Sequence, residues 1–361
     1  MPAEKQLCIG LSLAVTWLSG RGWRHPDSQV EDIHNPEFYV DLARRAEAAK
    51  LDFVFRPDSL FIDHQVLADS PGFSSVDPTM LMAALAQETQ RIGLVTTAST
   101  TLNAPYTVAR QIQSLNQISN GRAGWNVVTA LDGQQNFGVE RMPTAEVRYA
   151  IADEFTQVVQ KLWDSFPCSA IQANRDTGQY ADIEQIGPID HQGDYFQVKG
   201  PLTLPGHPAG SVPLFQAGAS DSGRNFAAKI ADAIFAATPD RDVALELRQN
   251  IQHRAVAHGR PEDAVRVLPG LSLYLADSRE EARALYQANL TPQALARKKF
   301  FVQEALGLDL DKLTPEQLIT PDMISSAETP VRSRTHADLL RRLIQRETLS
   351  LEQLLQRPEA S

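Results

Sequence analysis

Side chains able to do chemistry are few in this sequence, and the most informative group lies between Gln216 and Gly223, where Gly218 is followed by Ser220, Asp221 and Ser222. A glycine-containing turn there leads from an apolar run into a helical pattern. Free backbone N–H groups at a helix N-terminus bind anions, and a phosphate monoester would fit. Ordinary capping by Ser220 or Asp221 accounts for the same residues, and the charge of Asp221 opposes a phosphate. Other polar residues fall where apolar runs end: Trp23, Arg24 and His25; Arg56, Pro57 and Asp58; Ser99, Thr100, Thr101 and Asn103; Asn126 and Thr129. They offer hydroxyls, amides and one carboxylate, with few nucleophile–base pairs. The eight histidines do not cluster at metal-ligand spacing, and neither cysteine, Cys8 or Cys168, lies in a CxxC, so no metal site is expected. His191 and His207 are read as solvated loop residues. No P-loop occurs, and no GxGxxG follows a strand. A site so poor in acids and bases suits a cofactor that brings its own reactivity.

The elements that must position these groups alternate. Apolar runs at Leu7–Val15, Phe53–Phe55, Ile92–Ala98, Ala123–Thr129, Val212–Ala217, Ala233–Ala237 and Val267–Leu275 read as strands. Helical patterns follow them. Asn35 with Pro36, and Asp77 with Pro78, are cap-plus-proline starts. After Pro105, the residues Val108, Ile112, Leu115 and Ile118 trace one helical face. Further helices are expected around Ala150–Trp163, from near Ser220, from about Asp240 to the C′ glycine Gly259, and after the capping box Ser278–Glu281. Continuous apolar strands, each followed by a helix, predict a parallel sheet covered on both faces. Seven such units favour a β/α barrel over an open doubly wound sheet. Residues 165–212 are rich in Gly, Pro and Asp and read as an insertion. Residues 291–357 read as a helical insertion or lid, with Leu339, Leu340, Leu343, Leu354 and Leu355 on apolar faces. No eighth strand and helix are legible before Ser361.

The hydrophobic fraction of 43% supports one large domain over residues 1–361. The net charge of −10 argues against nucleic acid or an anionic membrane as a partner. No signal peptide and no membrane-length apolar run are found, and two cysteines make no disulfide framework, so a cytoplasmic protein with reduced thiols is expected.

Three segments, Asn120–Thr129, Gln216–Gly223 and Thr97–Thr101 with Pro105 and Tyr106, together resemble the bacterial-luciferase-like flavin monooxygenases. The branch is that of nitrilotriacetate and EDTA monooxygenases, dibenzothiophene-sulfone monooxygenase and the pristinamycin synthase large subunit. Trp23–Pro26, Leu162–Asp164, Ile189–His191 and Val267–Gly270 fit it too. The resemblance implies an α/β fold, a TIM-like (β/α)8 barrel with insertions, here without its eighth unit. It implies reduced FMN (FMNH2) delivered by a separate NAD(P)H:flavin reductase, and O2 forming a flavin hydroperoxide that oxygenates a small substrate at or next to nitrogen or sulfur. By resemblance Asp58, Thr100 or Thr101, and Asn126 lie beside the flavin, Tyr149 and Ser220 match phosphate-side contacts, and His25 matches a histidine of the first loop facing substrate. His25 and Asn126 are the catalytic candidates. A homo-oligomer is expected. Two departures stand out: Ala145 replaces a common histidine four residues before the tyrosine, and Arg56-Pro57 replaces small apolar residues. Arg56 is expected to point outward, with pairing to an anionic substrate group as the alternative. Two other readings remain: a truncated, non-catalytic remnant, and a deazaflavin-dependent oxidoreductase on the same fold.

Overall fold

Apolar runs become parallel strands here because helices cover one face of the sheet and phenylalanines fill the other. The computed structural model describes residues 7–14, 22–62, 64–68, 70–218, 220–238, 241–271, 273–288, 290–324 and 334–360. Its strands are β1 (Gly10–Ser12), β2 (Phe53–Phe55), β3 (Gly93–Ser99), β4 (Ala123–Val128), β5 (Ile171–Asn174), β6 (Gln179–Ala181), β7 (His191–Gln192), β8 (Gln197–Val198), β9 (Leu214–Gln216), β10 (Ala233–Ala236), β11 (Arg266–Pro269), β12 (Leu318–Ile319) and β13 (Leu349–Ser350). The α-helices are α1 (Pro36–Ala48), α2 (Pro78–Glu88), α3 (Pro105–Ile118), α4 (Ala145–Asp164), α5 (Asp221–Ile230), α6 (Arg241–Ala257), α7 (Arg279–Ala288), α8 (Pro292–Leu306), α9 (Arg334–Arg346) and α10 (Leu351–Gln356).

The main sheet has the order β1-β2-β3-β4-β9-β10-β11, the seven strands that the apolar runs predict. From β1 through β2, β3, β4 and β9 to β10, each strand pairs parallel with the next. Caps sit where the sequence puts them: Asn35 accepts from the Glu37 amide, and Asp77 from those of Thr79 and Met80. The last strand is shorter than Val267–Leu275. It stops at Pro269, one residue before the Gly270 amide meets the Ala236 carbonyl at the end of β10. A strand extends only as far as its neighbour offers hydrogen bonds, so Leu271, Leu273 and Leu275 run on with the strand pattern but stay 77%, 70% and 79% exposed.

Contacts divide the chain into two units: Met1–Gly218 with Ser222–Phe235 and Arg248–Leu268, and Ala219–Asp221 with Ala236–Leu247 and Pro269–Ser361. In the first, register and side-chain alternation sort the sheet into two faces. Val54, Leu94, Ala123, Trp125 and Leu214 join the large core that includes Ala43, Leu85, Ile112 and Phe155 of α1 to α4. On the other face Phe53, Phe55, Val95, Phe215 and Ala233 form a second core, with Phe235 packed against it. Phe55 stacks on Phe235 at 4.4 Å and Phe215 on Phe235 at 5.5 Å. Gly10 leaves room for this filling, since a Cβ there would stand 2.2 Å from the Phe53 ring. The segment 165–212 forms two hairpins, β5–β6 and β7–β8. In the second unit α8, α9 and α10 enclose Val302, Leu306, Leu340 and Leu354, and β12 pairs antiparallel with β13.

Candidate active site at the strand tips

Parallel strands of a β/α fold present their C-terminal tips together, and the loops that follow them carry function. Thr97 of β3, Asn126 of β4, Phe215 of β9 and Ala233 of β10 form one register row. Phe215 and Ala233 belong to the phenylalanine-filled core, so Thr97 and Asn126 face the same side. The Thr97 hydroxyl donates to the Arg56 carbonyl at 2.7 Å. Its one hydrogen is thereby used, so it can only accept from Asn126, which donates through Nδ2 at 3.1 Å. That settles which way the amide points: Oδ1 is the outer atom, and it is buried without a hydrogen-bond partner among the described residues. Asn126 as a whole is only 2% exposed.

The two threonines that follow β3 differ. Thr100 spends its hydroxyl on the Val128 carbonyl at 3.1 Å, reinforcing its own amide bond to the same atom. The Thr101 hydroxyl is buried and lacks a partner among the described residues. Two buried, unsatisfied oxygens at adjacent strand tips are costly unless a ligand meets them.

Asp58 is part-buried just past β2. Burial pushes its carboxyl above the usual range, and Asp77 adds to this, against the Ser59 amide and Arg56. Arg56 does not point outward. It is 5% exposed, lies 5.4 Å from the Tyr39 ring centroid and donates through Nη1 to the Leu13 carbonyl. The reason is side-chain alternation along β2: Arg56 follows Val54 onto the helix-covered face. His191 is not a solvated loop residue either. Its Nε2 lies 3.0 Å from Glu154 of α4, which also receives the Tyr195 and Phe196 amides and so fastens the β7–β8 hairpin. His25 is on the surface, its side chain 65% exposed, and its partners are local: Gly22, Asp27 and Ser28.

At the turn after β9, Gly218 and Gly223 touch. A Cβ on Gly223 would stand 2.7 Å from the Tyr149 hydroxyl and 2.8 Å from the Gly218 Cα. The Gly218 amide donates to Gln216 Oε1 and is therefore not free for an anion. Ser220 is half-buried and immediately precedes α5, whose first turn holds Asp221. Ala145 is the first residue of α4, capped by Thr144.

The structure thus joins Thr97 and Asn126, and sets Thr100, Thr101 and Asp58 at the ends of neighbouring strands. Thr97 and the phenylalanine layer are what the sequence reading misses. Thr96 and Thr97 are both buried, on opposite faces. Only the alternation from Val95, matched to Gly124 and Asn126 across β4, distinguishes them.

A parallel, helix-covered sheet with hydroxyls and an amide at its tips defines a protein of the TIM-barrel type. The chain belongs to the luciferase-like monooxygenase family, whose model matches residues 15–341. It is 36% identical to N-acetyl-S-(2-succino)cysteine monooxygenase of Bacillus subtilis, over 97% of this chain and 79% of that one. It is also 36% identical to nitrilotriacetate monooxygenase component A of Aminobacter aminovorans, over 99% and 81%. Among solved structures it superposes on a riboflavin lyase holding modified FMN and riboflavin with a TM-score of 0.81 and 32% identity, over 99% and 79%. Among the described residues no helix is long and apolar enough to cross a membrane.

Proposed function

We propose that this monooxygenase is the oxygenase component of a two-component system that takes FMNH2 from an NAD(P)H:flavin reductase and uses O2 to oxidise a small organic substrate at or next to nitrogen or sulfur. The observation that carries the reading is the Asn126 amide, turned by Thr97 so that a buried acceptor without a partner among the described residues faces the sheet interior. An N–H on the edge of a planar heterocycle would satisfy it. Thr101 offers a hydroxyl that can donate or accept, and Asp58 a carboxyl held toward its neutral form. Tyr149 and Ser220 are assigned to the phosphate, on the close approach of Tyr149 to Gly223 and the position of Ser220 ahead of α5. His25 is assigned to the substrate side.

Bound there, reduced FMN would supply the electrons for O2 activation. The chain's own part is to orient and to exclude water. Asn126 and Thr101 would hold the ring, and the phenylalanines of the sheet interior would exclude water from it. The two relatives, named for the sulfur compound N-acetyl-S-(2-succino)cysteine and, as a component A, for the nitrogen compound nitrilotriacetate, support a substrate containing nitrogen or sulfur and a separate reductase.

The test supplies the chain with FMN, NADH and a flavin reductase, together with thioether and tertiary-amine substrates. Oxygen uptake matched by oxygenated product is expected, with Asn126→Leu slower by about 10- to 100-fold, the scale of one lost positioning or hydrogen-bond contact. Tight FMN binding without product from any such substrate would count against the reading.

A further inference from the structure

We propose that Arg56 and Tyr39 are a pair of positioning residues that fix Leu13, one residue past β1, and Ile33, ahead of α1, and through Ile33 order the described residues that lead into α1. The argument starts from cost. A guanidinium that is 5% exposed, with its Nε lacking a partner among the described residues, is a poor way to fill space. An unbranched apolar side chain of similar length would pack there without desolvating a charge. What Arg56 adds is a bond: its Nη1 donates to the Leu13 carbonyl, one residue past the end of β1.

The far end of the same connection is held by the residue under the guanidinium. Tyr39 of α1 is fully buried, its ring centroid lies 5.4 Å from the Arg56 Cζ, and its hydroxyl donates to the Ile33 carbonyl at 2.7 Å. Ile33 lies two residues before the α1 cap Asn35. One stacked pair therefore grips the chain at Leu13 and again at Ile33. The described stretch 22–35 between them carries Trp23, Arg24 and His25. Arg56 is tied to the chemistry from its other side too, because its own carbonyl takes the Thr97 hydrogen and thereby sets Asn126. A cation spent in this way is unavailable to an anionic substrate group. Its work is to fix Leu13 with its side chain while its carbonyl, through Thr97, sets the Asn126 amide. The kinetic half of this inference rests on the function proposed above; the structural half does not.

Two variants test it, Tyr39→Phe and Arg56→Met, with Arg56→Lys as the conservative replacement. Amide hydrogen exchange is followed in residues 22–35 of the full chain without flavin or substrate. Exchange about 3- to 10-fold faster is expected in both variants, the scale of one hydrogen bond lost, with Arg56→Lys between them and the wild type. In the reductase-coupled assay KM should rise by a larger factor than kcat falls. Wild-type exchange in both variants would overturn the proposal. So would faster exchange with KM unmoved in an active enzyme. If the wild-type chain oxidises none of the substrates offered, the exchange result alone decides, so failure of the proposed activity and failure of the clamp are told apart.

Discussion

Thr97 shows how one hydroxyl can determine the chemistry of its neighbour. It donates to Arg56 and accepts from Asn126, and the buried Oδ1 follows from that order. Replacing it by valine strands a buried carbonyl and a buried amide, at about 1–3 kcal/mol. Thr97→Val should therefore melt several degrees lower and bind FMN more weakly, while Thr97→Ser restores both, as read by thermal melts and titration. Asp58 makes the opposite trade. Burial, then Asp77, raises its pKa in the folded state. Its stabilising contribution is complete below the unfolded value of about 4 and is lost as pH rises through the folded value. At neutral pH, where the unfolded chain ionises this carboxyl freely, the raised pKa works against folding. Asp58→Asn should thus raise the melting temperature at pH 7, with the gain vanishing below about pH 4, while it loosens FMN. A variant that melts lower at pH 7 would refute the assigned direction.

At the scale of elements, the strands and helix starts were readable in the sequence because each depends on neighbours close along the chain. Cap-plus-proline pairs open α1 and α2, and continuous apolar runs give the strands. The site was readable only in part. Which of Thr100 and Thr101 keeps its hydroxyl available depends on the Val128 carbonyl of another strand, and the fate of Arg56 depends on Leu13 and Tyr39. Register and pleat decide such matters, and neither is written locally. The same holds for Glu47 of α1, which accepts the amides of Gln90, Arg91 and Ile92 at the entry to β3. Burial alone would raise its carboxyl, but these three amides and Arg122 hold it below the usual range. A depressed folded pKa gives stability that is present above the unfolded value of about 4.3 and lost as pH falls through the folded one. Glu47→Ala should cost about 1–2 kcal/mol at neutral pH, discounted for the partly exposed site. The deficit should shrink toward pH 3, and denaturant melts at the two pH values measure it.

At the scale of the molecule, each of the two units has its own apolar core. The main sheet has β1 at one end of its order and β11 at the other. The sequence already implied seven strands in a parallel sheet, which the main sheet shows, and a resemblance to flavin monooxygenases, with which family membership agrees. The proposed function is narrower, with the ring of FMN assigned to Asp58, Thr101 and Asn126 and its phosphate to Ser220. Titration of the chain with FMN, followed by quenching of flavin fluorescence, tests it most directly when the wild type is compared with Asn126→Leu and Ser220→Ala. Saturable binding, weakened about tenfold or more in each variant, a loss near 1.4 kcal/mol, is the expected result. No binding by a chain that still melts cooperatively, or equal affinity in all three proteins, would contradict it.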